Sequence, residues 1–301
     1  MRRMYFLGVT TGQSSIHRLF PKWASLAGLG ETELTGLDIA VNAPETAFRE
    51  ALRRMADDPY SQGALVTTHK TSVYAHARDM FEEFDGDADF LGEVSCIVQR
   101  GRRFEGIAID TLTAGLSLQA IVGDKPFPGS VLIMGAGGAG LALAVVLSRR
   151  HTVARVILTD VSAGRLVEIA DRVPAEFVLV NGPEDHDRLA AALPPGSLIV
   201  NATGMGKDRP GCPVTEQASF PAGSIAWDFN YRGDLRFLEC ARARGATAVD
   251  GWSYFLHGWS EIMARVFGFE LTPELFAAMQ DAAPEVRTDS EARVEITGSS
   301  E

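Results

Sequence analysis

The 301-residue chain is short of several things, and each shortage excludes a class of protein. Its three cysteines, Cys96, Cys212 and Cys240, have the spacing of neither a disulfide framework nor a zinc ribbon, and no pair of its six histidines has metal-ligand spacing. No metal is expected, each histidine reads as a solvated or capping residue, and a reducing, cytoplasmic setting follows. No apolar run approaches the ~20 residues of a membrane-spanning helix. The N-terminal stretch Met1–Gly8 carries too short an apolar run for a secretory signal. Basic residues are in the minority, 28 against 39 acidic, a net charge of −11. Such a surface is not built to neutralise nucleic-acid phosphates. Neither a Gly-x-Ser-x-Gly elbow nor a P-loop occurs, which removes the support for covalent and phosphoryl-transfer mechanisms.

What is present points to an α/β protein of two domains. From Met4 to about Ala114, the apolar runs Tyr5–Val9, Leu37–Val41, Ala64–Val66 and Cys96–Val98 alternate with amphipathic segments. Asn42 can cap a helix with Pro44 in its first turn and Ala47, Phe48, Ala51, Leu52 and Met55 on one face. Gln99–Arg103 reads as a hairpin turn around Gly101. A Pro/Gly-rich linker, Gly123–Gly129, leads into a second block. Its strands, Val131–Met134, Val156–Leu158, Phe177–Val180, Leu198–Val200 and Ile225–Trp227, are nearly all apolar. That is the mark of parallel strands covered on both faces, and the helical segments between most of them give a doubly wound pattern. From Gly251 to about Asp281 the chain is helical, with a wide apolar stripe through Trp252, Phe255, Leu256, Trp259, Ile262, Met263, Val266 and Phe267 that must pack on the first lobe. The expected division is residues 1–114 plus 251–283 as a substrate domain and 115–250 as a Rossmann-type domain. A polar tail, 284–301, lacks a usable core face and is expected to be disordered.

The second block carries the clearest chemical signal. In Met134–Gly140, the glycines Gly135, Gly137 and Gly140 stand in G-x-G-x-x-G register after a strand and before a helix, with Ala136, Gly138 and Ala139 between them. The first permits a tight turn, the second lets a pyrophosphate approach the backbone, and the third lets helix and strand pack closely. The helix N-terminus then offers free N–H groups and positive dipole to phosphates. Asp160, twenty residues past Gly140 at the end of the next strand, suits the hydroxyls of an adenosine ribose and repels a 2′-phosphate. No basic residue immediately follows it, so NAD is expected ahead of NADP. Two other readings compete: Asp160 as the cap of a helix over Val161–Val173, and S-adenosylmethionine as the ligand.

With these landmarks the chain resembles the shikimate/quinate dehydrogenase family along about 270 residues by the order of its motifs. Besides the glycine motif they are Gly8 through Ser14-Ser15, Gly63–Lys70, Gly92–Cys96, Gly106–Asp110, Asn201–Gly206, Asp228–Tyr231 and Gly251. The resemblance implies an N-terminal substrate domain completed by the C-terminal helices, with the dinucleotide domain inserted. It implies reversible hydride transfer between a nicotinamide cofactor and a ring hydroxyl or ketone of a small cyclic compound. By position, Lys70 and Asp110 match the pair flanking the reacting hydroxyl. Asn201, Ala202, Thr203, Gly204, Met205 and Phe229 fall to the cofactor, and Ser14, Ile16, Thr67, Ser95, Tyr231 and Gly258 to the substrate.

The proton chemistry stands beside the resemblance. Hydride departure makes the hydroxyl proton strongly acidic, and a Lys accepts it once desolvation draws its pKa toward neutrality, with Asp110 orienting the ammonium. Taken without the family, Lys70 reads more readily as a surface residue entering a helix and Asp110 as the cap of a helix over Thr111–Val122. The departures from the family pattern fall on the substrate side. Gln13 replaces a His, Ile16 a Ser, Ser95-Cys96 and Ala108-Ile109 two Asn-Thr pairs, and Gly258 a Gln, while the lysine motif lacks its Asn and is one residue short. A less polar pocket is expected, for a ring with fewer or different substituents than shikimate. A non-catalytic dinucleotide or metabolite sensor is the second reading. No nucleic-acid or membrane partner is expected, and the chain is expected to be a monomer or homodimer.

Overall fold

A computed structural model describes residues 1–123, 129–149, 153, 155–207 and 209–284. Most of the linker read at Gly123–Gly129, and the tail beyond 284, lie outside the described residues. In chain order the strands are β1 (Arg2–Gly8), β2 (Thr32–Asp38), β3 (Ser61–Val66), β4 (Phe81–Phe84), β5 (Cys96–Arg100), β6 (Arg103–Ile107), β7 (Val131–Met134), β8 (Val156–Asp160), β9 (Glu176–Leu179), β10 (Leu198–Asn201), β11 (Ile225–Asp228) and β12 (Thr247–Val249). The helices are α1 (Ile16–Leu26), α2 (Glu45–Asp57), α3 (Lys70–Ala77), α4 (Gly86–Leu91), α5 (Asp110–Val122), α6 (Gly138–Arg149), α7 (Ala163–Ile169), α8 (Pro183–Ala191), α9 (Arg236–Ala243), α10 (Trp252–Phe267) and α11 (Pro273–Asp281). The chain divides into two compact units, Met1–Ile109 with the segment from Leu256, and Asp110–Phe255. The divisions fall at the start of α5 and inside α10.

The first unit holds a mixed sheet in the order β2-β1-β3-β5-β6-β4. β1 runs parallel to β2 and β3, whereas β5 is antiparallel to β3 and β6. Leu7 therefore pairs with Val66, Leu65 with Cys96, and Cys96 with Ile107. The ends of β1, β3 and β6 and the start of β5 share one edge, and the loops leaving that edge carry Ser14, Thr67, Lys70, Ser95 and Ile109. Side chains alternate across the strand. Tyr5 and Leu7 join Phe48, Leu52 and Met55 of α2 in one core. Phe6 meets Trp259 of α10 edge-on on the other side, ring centroids 4.9 Å apart. Phe20 of α1 faces Phe267, and Trp23 Nε1 donates to the Met279 carbonyl at 2.9 Å. From Trp259 onward the apolar stripe thus packs on the first lobe, where each large buried side chain contributes roughly 1.5–3 kcal/mol. Trp252 and Phe255, expected there too, pack instead on Tyr231 within the second unit.

The second unit is a parallel sheet in the order β12-β11-β10-β7-β8-β9. Its central strands β7 and β10 are buried at every position, as a sheet covered on both faces requires. The strand order reverses between β7 and β10, and in such sheets ligands bind beyond the strand ends at that point.

Several local expectations change. The helix after Asn42 starts at Glu45, because Pro44 is itself extended (ψ 161°), so Asn42 is not its cap. The strand read at Leu37–Val41 runs instead over Thr32–Asp38, and β4 and β12 carried no apolar signal. All three lie at sheet edges, where polar residues are tolerated and one neighbour sets the register. The histidines are not uniformly solvated or capping: His69 is buried with Nε2 2.8 Å from the Ile39 carbonyl, and His186 is buried in the second unit.

Candidate functional site

At the end of β7 the chain turns sharply through Gly135, whose φ of +101° favours glycine. A Cβ on Gly140 would lie 2.0 Å from the Gly135 carbonyl oxygen, so α6 reaches the turn only without a side chain there. At Gly137 a Cβ would meet nothing within 4 Å. The first and third glycines are thus fixed by the fold and the second opens onto space, which is the division a pyrophosphate cradle needs.

That space continues into a cavity of about 680 Å³ inside the second unit, with Gly135, Gly137, Asp160, Ala202, Thr203 and Met205 among its walls. Asp160 stands at the end of β8 with Oδ2 accepting from Ala136 N at 3.0 Å and Oδ1 from Ser162 N at 2.9 Å. Each oxygen keeps a lone pair for a ligand hydroxyl. The cap of α7 is Ser162, whose hydroxyl accepts from Arg165 N, so the reading of Asp160 as that cap is set aside. Arg165 donates through Nε to the Ala136 carbonyl at 2.8 Å and pairs with Glu168, which ties its guanidinium to the glycine turn.

The cavity adds residues the sequence did not single out. His186 on α8 is held by Pro213, whose carbonyl accepts from Nδ1 at 2.7 Å, and by Thr159 Oγ1, 2.9 Å from Nε2. Burial lowers its pKa. The neutral Nδ1–H tautomer satisfies both partners, so the ring joins β8 to the loop around Pro213. Its signal in the sequence, one His amid Glu, Asp and Arg, is that of a solvated helix face.

Asn201 and Asp228 end adjacent parallel strands and face each other. Asn201 Nδ2 donates to Asp228 Oδ2 at 2.9 Å, and its Oδ1 accepts from Thr203 N and Thr203 Oγ1 at 3.1 and 2.6 Å. Thr203 Oγ1 in turn accepts from Met205 N. Gly204 provides the positive φ of this turn. Asn201 is itself buried and works from beneath the wall, with Ala202, Thr203 and Met205 at the surface. Phe229 stacks on Tyr254 at 4.8 Å, and Tyr231 is buried against Trp252 and Phe255.

In the first unit, Lys70 is the half-buried first residue of α3, and its carbonyl accepts from Val94 N at 3.1 Å. Thr67 sits just before it, with Oγ1 directed to the Leu7 carbonyl at 3.2 Å. A Cβ on Gly8 would lie 2.8 Å from that hydroxyl, so β1 and Thr67 stay close only because residue 8 is glycine. Ser14 is nearly buried and its hydroxyl accepts from Ile16 N at 3.4 Å. Ser95 is spent on the backbone: its hydroxyl accepts from Ile109 N at 2.8 Å and donates to the Ile107 carbonyl at 3.4 Å. Ile16 is fully buried in the core at the start of α1, so it offers no open pocket wall, contrary to its reading as a substrate contact. A Cβ on Gly258 would meet nothing within 4 Å. Asp38 pins the loop after β1, accepting from Thr11 N and Oγ1 at 2.8 and 2.5 Å, a tie with no motif to announce it. Asp110, in the second unit, is buried as the first residue of α5 rather than the residue before it.

No family model matches the chain. It is 32% identical over 254 residues to shikimate dehydrogenase (NADP(+)) of Rhodopseudomonas palustris, covering 81% of this chain and 86% of that protein. Among solved structures it is similar to shikimate dehydrogenase from Aquifex aeolicus, with a TM-score of 0.74, 20% identity and coverage of 94% and 98% of the two chains. It is similar also to quinate dehydrogenase from Corynebacterium glutamicum in complex with NAD, with a TM-score of 0.70, 21% identity and coverage of 93% and 98%.

Proposed function

The chain belongs to the shikimate/quinate dehydrogenase family, and from that premise we propose that it interconverts a ring hydroxyl and ketone of a shikimate-related compound with NAD, using Lys70 as acid/base and Asp110 as its orienting partner. Membership makes it an NAD(P)-linked oxidoreductase acting on a CH–OH group. The observation that carries the cofactor reading is the cradle itself, with two glycines packed against backbone and a third opening onto a cavity walled by Asp160. Relatives of this chain are named for NADP(+) and the quinate dehydrogenase neighbour is bound to NAD. The choice of NAD rests on Asp160 and on the exposed Val161 beside it, where a 2′-phosphate would need a cation.

When bound, the nicotinamide cofactor takes up or delivers the hydride. Lys70, as the amine, would remove the hydroxyl proton in oxidation and, as the ammonium, return it in reduction, while the carboxylate of Asp110 accepts from the Lys70 nitrogen and orients it. Ser95 contributes indirectly, since its hydroxyl fixes Ile109, the residue before Asp110.

The remaining hydroxyls narrow the substrate. Thr67 donates to Leu7 and keeps only acceptor capacity, whereas Ser14 keeps its donor. Thr67 can thus accept from a ring hydroxyl and Ser14 can donate to one. The open space at Gly258 suits a substituent that the family's usual Gln would exclude. Three free thiols fit work in the reducing cytoplasm. The test is a panel of cyclic polyols and hydroxybenzoate-like acids offered with NAD and followed by nicotinamide absorbance. The proposal fails if no ring alcohol or ketone changes that absorbance with either NAD or NADP.

A further inference from the structure

We propose that Asp228 is a positioning residue for the dinucleotide: its ionised carboxylate fixes the orientation of the Asn201 amide, and with it the Thr203–Met205 turn, so that cofactor binding favours loss of a proton from Asp228. This rests on the dinucleotide reading of the cavity.

The geometry is directional. Thr203 N can only donate, so the Asn201 atom facing it must be oxygen, and Nδ2 must face Asp228 Oδ2 at 2.9 Å. The other carboxylate oxygen accepts from Asn230 N at 2.8 Å. Asn230 Nδ2 donates to the Met205 carbonyl at 2.9 Å, and Asn201 Nδ2 lies 3.3 Å from the same carbonyl. Two amides that grip Met205 are thus both referred to one carboxylate. Met205 and Thr203 line the cavity. A proton on either oxygen of Asp228 weakens bonds made to a charge and needs an acceptor where N–H donors already point. The amide of Asn201 cannot turn over to supply one without losing Thr203 N and Oγ1.

The site is poised between the two forms. Asp228 is 1% exposed, and burial pushes its carboxyl up to about 7 against the lowering effect of the Asn230 and Asn201 donors. Asp250, just before α10, opposes its ionisation; Cys212 feels its charge and that of Arg236, and is itself held neutral because burial pushes the thiol up to about 11. Near neutral pH the free protein therefore holds a mixture, and a ligand seated on the Thr203–Met205 wall selects the ionised member.

The experiment is calorimetry of NAD binding to the purified protein between pH 6 and 8.5, in pairs of buffers with different heats of ionisation. Release of close to one proton per NAD is expected at pH 6 and close to none at pH 8.5, with affinity falling by up to about tenfold per pH unit below 7. Asp228→Asn presents an N–H to one of the two donors, so it should bind NAD roughly tenfold more weakly at pH 8 and release no proton at pH 6. A raised KM for NAD with a smaller change in kcat should accompany it. Should that variant fail to fold, the Cγ resonance of Asp228 in the wild-type protein carries the test: it should titrate near neutrality alone and at lower pH when saturated with NAD. Proton release that survives in Asp228→Asn, or a carboxyl titration indifferent to NAD, overturns the proposal. Absence of binding of both NAD and NADP at every pH overturns the dinucleotide reading instead.

Discussion

Replacing Gly140 and Gly137 separately by alanine should have opposite consequences, although the two glycines are three residues apart at the start of α6. The added methyl at Gly140 would stand 2.0 Å from the Gly135 carbonyl oxygen and 3.4 Å from Ala202 Cβ. Both are parts of a packed turn, so relief requires α6 to back away from β7. Overpacking of this kind costs about 1–3 kcal/mol. In a chain of this size that is a fall in Tm of about 2–12 °C. At Gly137 the methyl meets open space and φ is not in the left-handed region, so stability should hold or rise by roughly 0.4–1 kcal/mol as the unfolded chain loses freedom. The same methyl would occupy the approach to the pyrophosphate, and NAD affinity should fall at least about tenfold, or 1.4 kcal/mol. Thermal unfolding and NAD titration of both variants make the comparison. If Gly140→Ala melts with the wild type, or Gly137→Ala binds NAD undiminished, the assignment of jobs to these glycines is wrong.

Lys70→Ala should lose turnover by at least about 10²-fold, the range general acid–base catalysis supplies, with NAD binding nearly intact; retained turnover would remove Lys70 from the mechanism. NAD should bind more tightly than NADP, and Asp160→Ser should narrow the gap by at least about threefold; equal affinities in the wild type would refute the role given to Asp160. His186→Leu leaves the Pro213 carbonyl without its buried donor and the Thr159 hydroxyl with only the Ile133 carbonyl at 3.3 Å, and should cost about 1–3 kcal/mol measured by denaturant unfolding. Stability should also depend on Asp228 with a definite sign. Its folded pKa, raised to about 7 from 3.8, means that the folded protein holds a proton the unfolded chain has released, so its stabilising contribution is lost as pH rises through that window. The loss amounts to about 4 kcal/mol if the full shift is realised, and unfolding curves of Asp228→Asn between pH 4 and 8 should lack it.

The sequence disclosed most where its signal is local. Val131–Met134, Leu198–Val200 and Ile225–Trp227 are central or near-central strands whose unbroken apolar runs can serve only inside a parallel sheet, and Gly135 and Gly140 are legible because backbone geometry demands them, Gly137 because it stands in register between them. It disclosed least where residues act through partners far along the chain. Thr32–Asp38 is a strand because β1 lies beside it, not because of its own pattern. Ser95 reads as a pocket residue until its hydroxyl is found bonded to Ile107 and Ile109, and Ile16 until its neighbours are found to enclose it. His186 becomes informative only when α8 brings it against Thr159 and Pro213.

Asn201 and Asp228 show why such information cannot be recovered from spacing. Each ends an apolar strand, and each alone reads as the polar stop where a strand leaves the core. They face each other because Leu198 pairs with Ile225, a register fixed by the whole sheet. A fold selected for stability alone gains nothing from a carboxylate there, since burying it costs free energy that an uncharged isostere would avoid. The charge makes sense only through what it orients: an amide that cannot turn over, a Thr–Gly–Met turn held by that amide, and a cavity wall made of that turn. The expense of the buried charge is therefore itself a reason to place function at this end of the sheet, and it is greatest in the pH range where the wall is best formed.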